Sequence, residues 1–204
     1  MDLRAVPKRS YIQTTNSNHS DPIYSNILKR NFYSEAPDRV WVSDITYIWT
    51  LEGWLYLASI MDLFSRRIVG WSIGQTLSKE LALQSLDRAI MMRKPTEALI
   101  HHSDRGSQYT SKEYIERLNE HDIQVSMSRK GDCFDNACIE SFHATIKKEL
   151  IYRTRFKTRE EAKWEVWKYI MMFYNAKRKH STIGYKSPNQ WERSYKEKPI
   201  SLLA

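Results

Sequence analysis

Hydrophobic and polar positions change rhythm along the chain, and the changes mark its elements. WVSDITYI (41–48) is rich in β-branched and aromatic residues and predicts a strand. Glu52-Gly53 marks a turn, WLYLASIMD (54–62) predicts a second strand, and RIVGWSI (67–73) a third. Short links predict an antiparallel meander, and continuous apolar runs predict a sheet covered on both faces. KELALQSLDRAIMM (79–92) carries Ala82, Leu86, Ala89 and Ile90 at helical spacing, with Ser78 as a candidate cap and Pro95 as a stop. A short strand over 98–100 leads into the polar segment HHSDRGSQY. Thr110 with Glu113 has the form of a capping box for a helix that buries Tyr114, Ile115 and Leu118. A fifth strand is expected at 123–126, a polar loop at SRKGDCFDN, and a helix from about Asn136 to Leu150. Thr158 with Glu161 opens a last long helix carrying Val166, Trp167, Ile170, Met171 and Tyr174. Strands alternating with helices in the later half predict an α/β sheet.

The flanks differ from this centre. Residues 1–37, which include the polar run TTNSNHSDP, read as an arm or linker anchored by Ile27, Leu28 and Phe32. Residues 38–176 hold the patterned core, and 177–204 read as a basic, irregular tail. No apolar run approaches the ~20 residues that span a bilayer, and no apolar signal segment opens the chain, so a cytoplasmic protein is expected. Cys133 and Cys138 are too few for a four-cysteine zinc site and read as free thiols.

Charge adds a partner to the picture. The net formal charge is +8. From 129 to 180 there are 13 Lys or Arg against 7 Asp or Glu, whereas 39–128 is nearly balanced. A basic C-terminal half beside a neutral core suits a polyanion such as nucleic acid, or else only a well-solvated surface.

Three acids stand out. Asp44 lies within an apolar strand, where an unpartnered carboxylate is costly, so it needs a cation or a hydrogen-bonded edge position. Asp104 follows a short strand, where α/β sheets place ligands. Glu140 lies early in a predicted helix, at the flank of a buried stripe of Ile139, Phe142, Ile146 and Leu150 and on the same side as Ala144 and Lys147. Each acid alone has an ordinary explanation as a turn, a cap or a first-turn acid. Together they form an oxygen-only donor set suited to Mg²⁺. Two such ions activate an attacking oxygen and stabilise a leaving one without a nucleophilic side chain.

The passages WVSDITYIWTLEGWLYLASIMDLFSRRIVGWSI, HHSDRGSQYTS, SMSRKGDCFDNACIESFHATIKKEL and YNAKRKHSTIGYKSPNQ, in that order, resemble the second-reading-frame transposases of the IS3 family of insertion elements. These are retroviral-integrase-like recombinases with an Asp, Asp, Glu triad. The resemblance runs from about Tyr24 to Trp191 and includes the 35 residues between Asp104 and Glu140. It implies an RNase H-like α/β fold, a central mixed five-stranded sheet with helices on both faces. It implies Asp44, Asp104 and Glu140 as catalytic ligands of two Mg²⁺ ions, with Mn²⁺ as a substitute. The implied activity is 3′-end cleavage and strand transfer on double-stranded DNA bearing terminal inverted repeats, with a target DNA and a homo-oligomer, in a bacterial cytoplasm and on the nucleoid when DNA-bound. No membrane partner is expected. The family's N-terminal helix-turn-helix region has no counterpart in residues 1–37, which suggests a remnant, an alternative start or an excised domain. An RNase H-like nuclease and a non-catalytic DNA-binding remnant are the competing readings.

Around the triad, Arg105, Arg129, Lys130, Lys147, Lys177, Arg178, Lys179 and His180 are candidate DNA contacts. His102, Ser103, Gln108 and Asn136 are candidate supports, Asn136 as a cap of the Glu140 helix. Asp62 reads as a turn cap or an acid supporting the triad, and Asp132 and Asp135 as loop acids outside it. The tryptophans, among them Trp41, Trp54, Trp71 and Trp167, are expected to fill the core.

Overall fold

A computed structural model describes residues 22–96 and 98–197. The polar run of the expected arm up to residue 21, the end of the tail past 197 and the Cys133 side chain lie outside the described residues.

The sheet begins with β1 (Val40–Thr50), β2 (Gly53–Asp62) and β3 (Ile68–Gly74). β1 and β2 pair antiparallel from Trp41↔Asp62 to Thr50↔Gly53. The turn closes at Gly53, whose φ of 110° only glycine adopts without strain. The Thr50 hydroxyl donates to the Gly53 carbonyl at 2.7 Å. The meander is completed by β3, antiparallel to β2. β4 (Leu99–Ser103) and β5 (Ile123–Met127) add in parallel on the other edge of β1, giving the order β3-β2-β1-β4-β5. His101, His102 and Ser103 thus belong to a strand, not to the loop that their polarity suggested.

Helices cover both faces. α1 (Lys79–Arg93), the short α2 (Ser107–Thr110) and α3 (Lys112–Glu120) lie on one side, and α4 (Ala137–Glu149) and α5 (Arg159–Lys168) on the other. Neighbouring β1 side chains divide between the two resulting cores. Trp41 packs with Ile60, Val69, Leu86, Tyr114 and Leu118, while Val42 packs with Leu57, Ile139, Phe142, Ile146 and Val166. α1 sits close to β3 because Gly70 has no side chain: a Cβ there would lie 2.3 Å from the Ser85 carbonyl oxygen. This is the expected RNase H-like arrangement. No helix among the described residues is long and apolar enough to cross a membrane.

Several local expectations differ from the structure. Ser78 and Asn136 occupy N-cap positions but their side chains make no capping bond. Thr110 ends α2, and Ser111, not Thr110, precedes α3. Thr158 does cap α5, accepting from the Glu161 N–H at 3.1 Å. α5 continues as a π-helical turn over Tyr169–Tyr174. The tail is not irregular throughout: a 3₁₀ turn at Ser181–Ile183 leads to α6 (Pro188–Lys196), opened by a capping box between Ser187 and Gln190. Glu192 on α6 is 5% exposed. It receives Arg67 at 2.7 Å, Arg93 at 2.9 Å and the Ser65 hydroxyl at 2.9 Å. Trp41 is fully buried, but Trp54 and Trp167 are substantially exposed and do not fill the core.

Upstream, Leu28 is buried and Phe32 packs against the same core, as expected. The Ile27 and Leu28 N–H groups reach the Ser126 hydroxyl on β5 at 3.0 and 3.3 Å. Asn26 and Arg30 both donate to Asp135. The segment is therefore fastened across the end of β5 and the loop that precedes α4.

Candidate active site

Parallel pairing brings two of the acids side by side. Val42 on β1 is opposite His102 on β4, and two residues further along each strand come Asp44 and Asp104. Equal steps keep both on one side of the sheet. They line a tight crevice with Tyr47, Leu77, Gln108 and Tyr109, with about 20 Å³ of solvent-sized space, room for one water-sized group. The Asp104 carboxylate accepts the Gly106 N–H at 2.9 Å.

Glu140 arrives from α4. Its side chain is more exposed and does not line the crevice. Its carboxyl is nevertheless pushed up to about 6, first by burial and then by the negative charges of Asp44 and Asp104. The three acids therefore share one electrostatic neighbourhood, although no three His, Cys, Asp or Glu side chains among the described residues stand in a cation-holding cluster. The donor chemistry fits a hard cation: three carboxylates from separate elements, whose mutual repulsion a bound cation would relieve.

Two groups that sequence reasoning did not single out lie beside Asp44. His143, one turn after Glu140 on α4, places Nδ1 3.3 Å from the Asp44 carboxylate. Its Nε2 is 2.6 Å from the Ser59 hydroxyl on β2. Both side chains are buried, His143 at 5% and Ser59 at 0% exposure. With Nδ1–H facing the carboxylate, Nε2 accepts from Ser59 and the ring tautomer is fixed. The available signal was a lone histidine in an apolar helical stripe, which ordinarily marks a core position. The other group is Tyr109, whose hydroxyl is buried beside Asp44 and Asp104 with no hydrogen-bond partner among the described residues. Burial, with those acids and Tyr114, holds it well above the usual phenol range, so it stays a neutral donor.

The other expected residues fall into two groups. Lys147 faces the site: its ammonium is 4.2 Å from the Tyr47 ring centre, and burial pushes its pKa down against the pull of Asp44. Lys130, Lys177 and Lys179 are exposed. The rest serve largely to hold the fold. The Arg105 Nε donates to the Ser128 carbonyl at 2.7 Å. Arg129 makes paired contacts to Asp135, a carboxyl held far below its usual range by Arg129 and Arg30. Arg178 pairs with Glu149 at 2.8 Å. His180 packs edge-on against Tyr174. His102 is fully buried between Ser126 and Ser128, which removes it as a phosphate contact and makes it a tie between β4 and β5. Ser103 donates to the Asp104 carbonyl, Gln108 to the Leu77 carbonyl, and Asn136 to the Ser43 carbonyl on β1, fastening the start of α4 beside Asp44. Asp62 is a turn cap: it accepts from Phe64, Ser65 and Asp38 N–H groups, and burial raises its pKa to about 7. Asp132 and Asp135 stay outside the triad, bound to arginines. Cys138 is a free thiol.

Comparison with known proteins agrees with this fold. Two models of an integrase core domain match residues 34–133 and 121–188. The chain is 45% identical over 193 residues to an insertion element IS600 uncharacterized 31 kDa protein of Shigella sonnei, covering 95% of this chain and 71% of the relative. It is 42% identical over 190 residues to the transposase InsF for insertion sequence IS3A of Escherichia coli K12, covering 93% and 66%. The chain thus spans about two thirds of the length of the latter relative. Among solved structures it resembles a chain of the simian T-cell lymphotropic virus intasome in complex with a PP2A regulatory subunit, with TM-score 0.67, 19% identity and 91% and 63% coverage. It also resembles the HTLV-2 integrase catalytic core domain in complex with magnesium, with TM-score 0.59, 17% identity and 78% and 99% coverage.

Proposed function

Because the chain belongs to the IS3-family insertion-element transposases built on an integrase core, we propose that it cleaves element 3′ ends and transfers them to target DNA, with Asp44, Asp104 and Glu140 holding divalent cations. The observation that supports this reading is the pairing of β1 with β4, which sets Asp44 and Asp104 in one crevice, with the Glu140 carboxyl raised first by burial and then by those two acids. Mg²⁺, or Mn²⁺ in its place, would supply Lewis-acid activation of the attacking oxygen and stabilisation of the leaving one, in a pair of ions in the working complex. The chain's own residues prepare the site for this chemistry. Asp44 is oriented by His143 and Ser59. Asp104 is fixed by the backbone of its own turn. The Tyr109 hydroxyl offers a hydrogen bond inside the crevice, and Lys147 supplies positive charge at its rim for a DNA phosphate. Exposed Lys130, Lys177 and Lys179 extend that basic margin. Terminal inverted repeats, a target duplex and a homo-oligomer in the DNA complex, in a bacterial cytoplasm, belong to the same proposal.

The test combines labelled element ends, target plasmid and Mg²⁺ or Mn²⁺ with wild type, Asp104→Asn and Glu140→Gln. The expected result is end cleavage and strand-transfer products with wild type and neither with the variants. Full activity in either variant would sink the assignment. Cleavage without joined products would select a nuclease instead. The second reading is a DNA-binding assembly protein, supported by the exposed Lys130, Lys177 and Lys179. Retained DNA binding with no Mn²⁺ binding at the acids would select it.

A further inference from the structure

The β1–β2 hairpin reaches beyond the rest of the sheet: β4 pairs β1 only from Val40 to Val42, whereas the β1–β2 ladder continues to Thr50↔Gly53. Along that extension its two faces differ. Ile48, Leu55 and Leu57 enter the core beneath α4 and α5. Their neighbours Tyr47, Trp49, Trp54 and Tyr56 stand on the opposite face, where the ladder sets Tyr47 across from Tyr56 and Trp49 across from Trp54. The core on that face holds Ile60 and has Ile45 at its margin, and none of the four rings belongs to it. Trp49 is 53% exposed and Trp54 39%, and Leu51 at the turn is exposed beside them.

Continuity and ring geometry together indicate what such a surface takes. Tyr47 and Tyr56 line the crevice that holds Asp44 and Asp104, so the aromatic array begins at the acids and runs outward along the hairpin. Trp49 lies five residues beyond Asp44, ~16 Å of strand at ~3.3 Å per residue, a span of a few nucleotides. Trp54 meets Tyr47 at 85° with centroids 5.3 Å apart, and meets Trp49 at 68° and 4.7 Å. These edge-to-face contacts leave ring faces open. By contrast, the exposed Trp164 and Trp167 on α5 lie 8° from parallel and cover each other. A cation stands at the crevice end, the Lys147 ammonium 4.2 Å from the Tyr47 ring centre. At the turn, the Glu52 carboxylate accepts the Arg159 N–H, and the Arg159 guanidinium lies beside Gly53, so the tip is close to neutral. Open rings with a cation at one end suit a nucleobase attached to its phosphate. A base inside a duplex hides both faces in the stack, so only an unpaired or terminal base can lie on a ring.

We propose that Trp49 and Trp54 form a stacking platform for an unpaired base of the DNA strand that lies at the crevice, so that the protein favours an opened or single-stranded end over a closed duplex. Stacking is tolerant of base identity, so the platform reads the state of the strand and not its sequence. Identifying that strand as the one that reacts at the acids rests on the transposase reading. The stacking itself does not.

The experiment uses the full chain in EDTA, so that no strand is cut. A short dye-labelled duplex of arbitrary sequence is compared blunt and with a single-stranded extension, on either strand, that carries 2-aminopurine. Anisotropy gives the affinity, and quenching of the 2-aminopurine emission reports stacking. The proteins are wild type, Trp49→Ala, Trp54→Ala, Trp54→Phe and Asp104→Asn. Wild type and Asp104→Asn should bind the extended duplex ~5–150-fold more tightly than the blunt one, the effect of one base on an aromatic ring, and should quench the probe. Each alanine variant should bring the two affinities together and leave blunt-duplex binding unchanged. Trp54→Phe keeps a ring at that position and should retain much of the difference. Equal affinity of wild type for the two duplexes, or a preference that both alanine variants keep, overturns the proposal. So does self-association of the DNA-free chain that the same alanines abolish, which assigns the face to a second copy. Neither a bound cation nor cleavage enters the measurement, and Asp104→Asn should behave as wild type, so failure of the triad assignment leaves these outcomes unaffected.

Discussion

Replacing His143 with alanine tests the support beneath Asp44 most directly. The ring is 5% exposed and bridges a fully buried Ser59 hydroxyl, 2.6 Å away, to the Asp44 carboxylate, 3.3 Å away. Truncation leaves the Ser59 hydroxyl without its partner, at ~1–3 kcal/mol. It also opens a void, so a total near ~3 kcal/mol is expected. The partition can be measured. Once His143 is gone, Ser59→Ala removes a group already unsatisfied, so it costs less than it does alone. The double variant should be less destabilised than the sum of the singles by ~1–2 kcal/mol. Urea unfolding of the four proteins gives this coupling. The functional consequence falls on Asp44: Mn²⁺ affinity or metal-dependent end cleavage should drop ~10–100-fold, while DNA binding in EDTA is unchanged. His143→Asn keeps a polar side chain beside Asp44 and should recover part of the loss. Strict additivity in the unfolding cycle, or wild-type Mn²⁺ affinity in His143→Ala, would refute the support role.

Other measurements follow from the same structure. Glu140 titrates near 6 instead of 4.5, so it is mostly protonated below that point, and activity at limiting Mg²⁺ should rise as pH climbs through about 6. Its contribution to stability has the opposite sign: ionising a carboxyl whose folded pKa is raised disfavours the fold, so this contribution declines across pH 4.5 to 6 in metal-free protein. Asp104→Asn should move the Glu140 midpoint down in a ¹³C carboxyl NMR titration, and an unmoved midpoint would show that the acids do not interact. Gly70→Ala places a methyl 2.3 Å from the Ser85 carbonyl and 2.6 Å from the Ala89 Cβ. α1 must then lift from β3, at ~1–3 kcal/mol or somewhat more. The Tm should fall by roughly 5–10 °C, and a melt within a degree of wild type would contradict the close approach.

Elements with a strong local signal were readable from the chain alone. The three meander strands, α1, α4 and the start of α5 follow from β-branched runs, helical stripes and the Thr158 cap. What local patterns cannot carry is pairing at a distance. Nothing in residues 99–103 shows that they lie between β1 and β5, yet that placement brings Asp104 beside Asp44. His101 and His102 obscured the end of β4 because their polarity suggests a loop, although both are buried. α6 lay within the tail read as irregular, where Pro188 in fact stands at the start of the helix behind the Ser187 cap. Of the site, the carboxylates were legible as types and positions. His143 and Ser59 were not, since a helical histidine and a strand serine acquire meaning only when α4 is laid across β1 and β2. Arg129 and Arg178 drew attention as cations, but their acidic partners come from other segments or a neighbouring turn and divert them to holding the fold.

The seat of Glu192 has a practical consequence for dissecting the protein. A fragment cut at residue 176 would keep every acid of the triad yet strip the counter-ion from Arg67, a guanidinium partly sunk at the far end of the meander, and one of the carboxylates from Arg93 at the end of α1, which keeps Asp38. Orphaned charges of that kind weaken a domain far more than the missing helix's own packing would suggest. The smallest autonomous unit should therefore reach past Lys196, and a shorter piece that proved insoluble would say nothing about its catalytic competence.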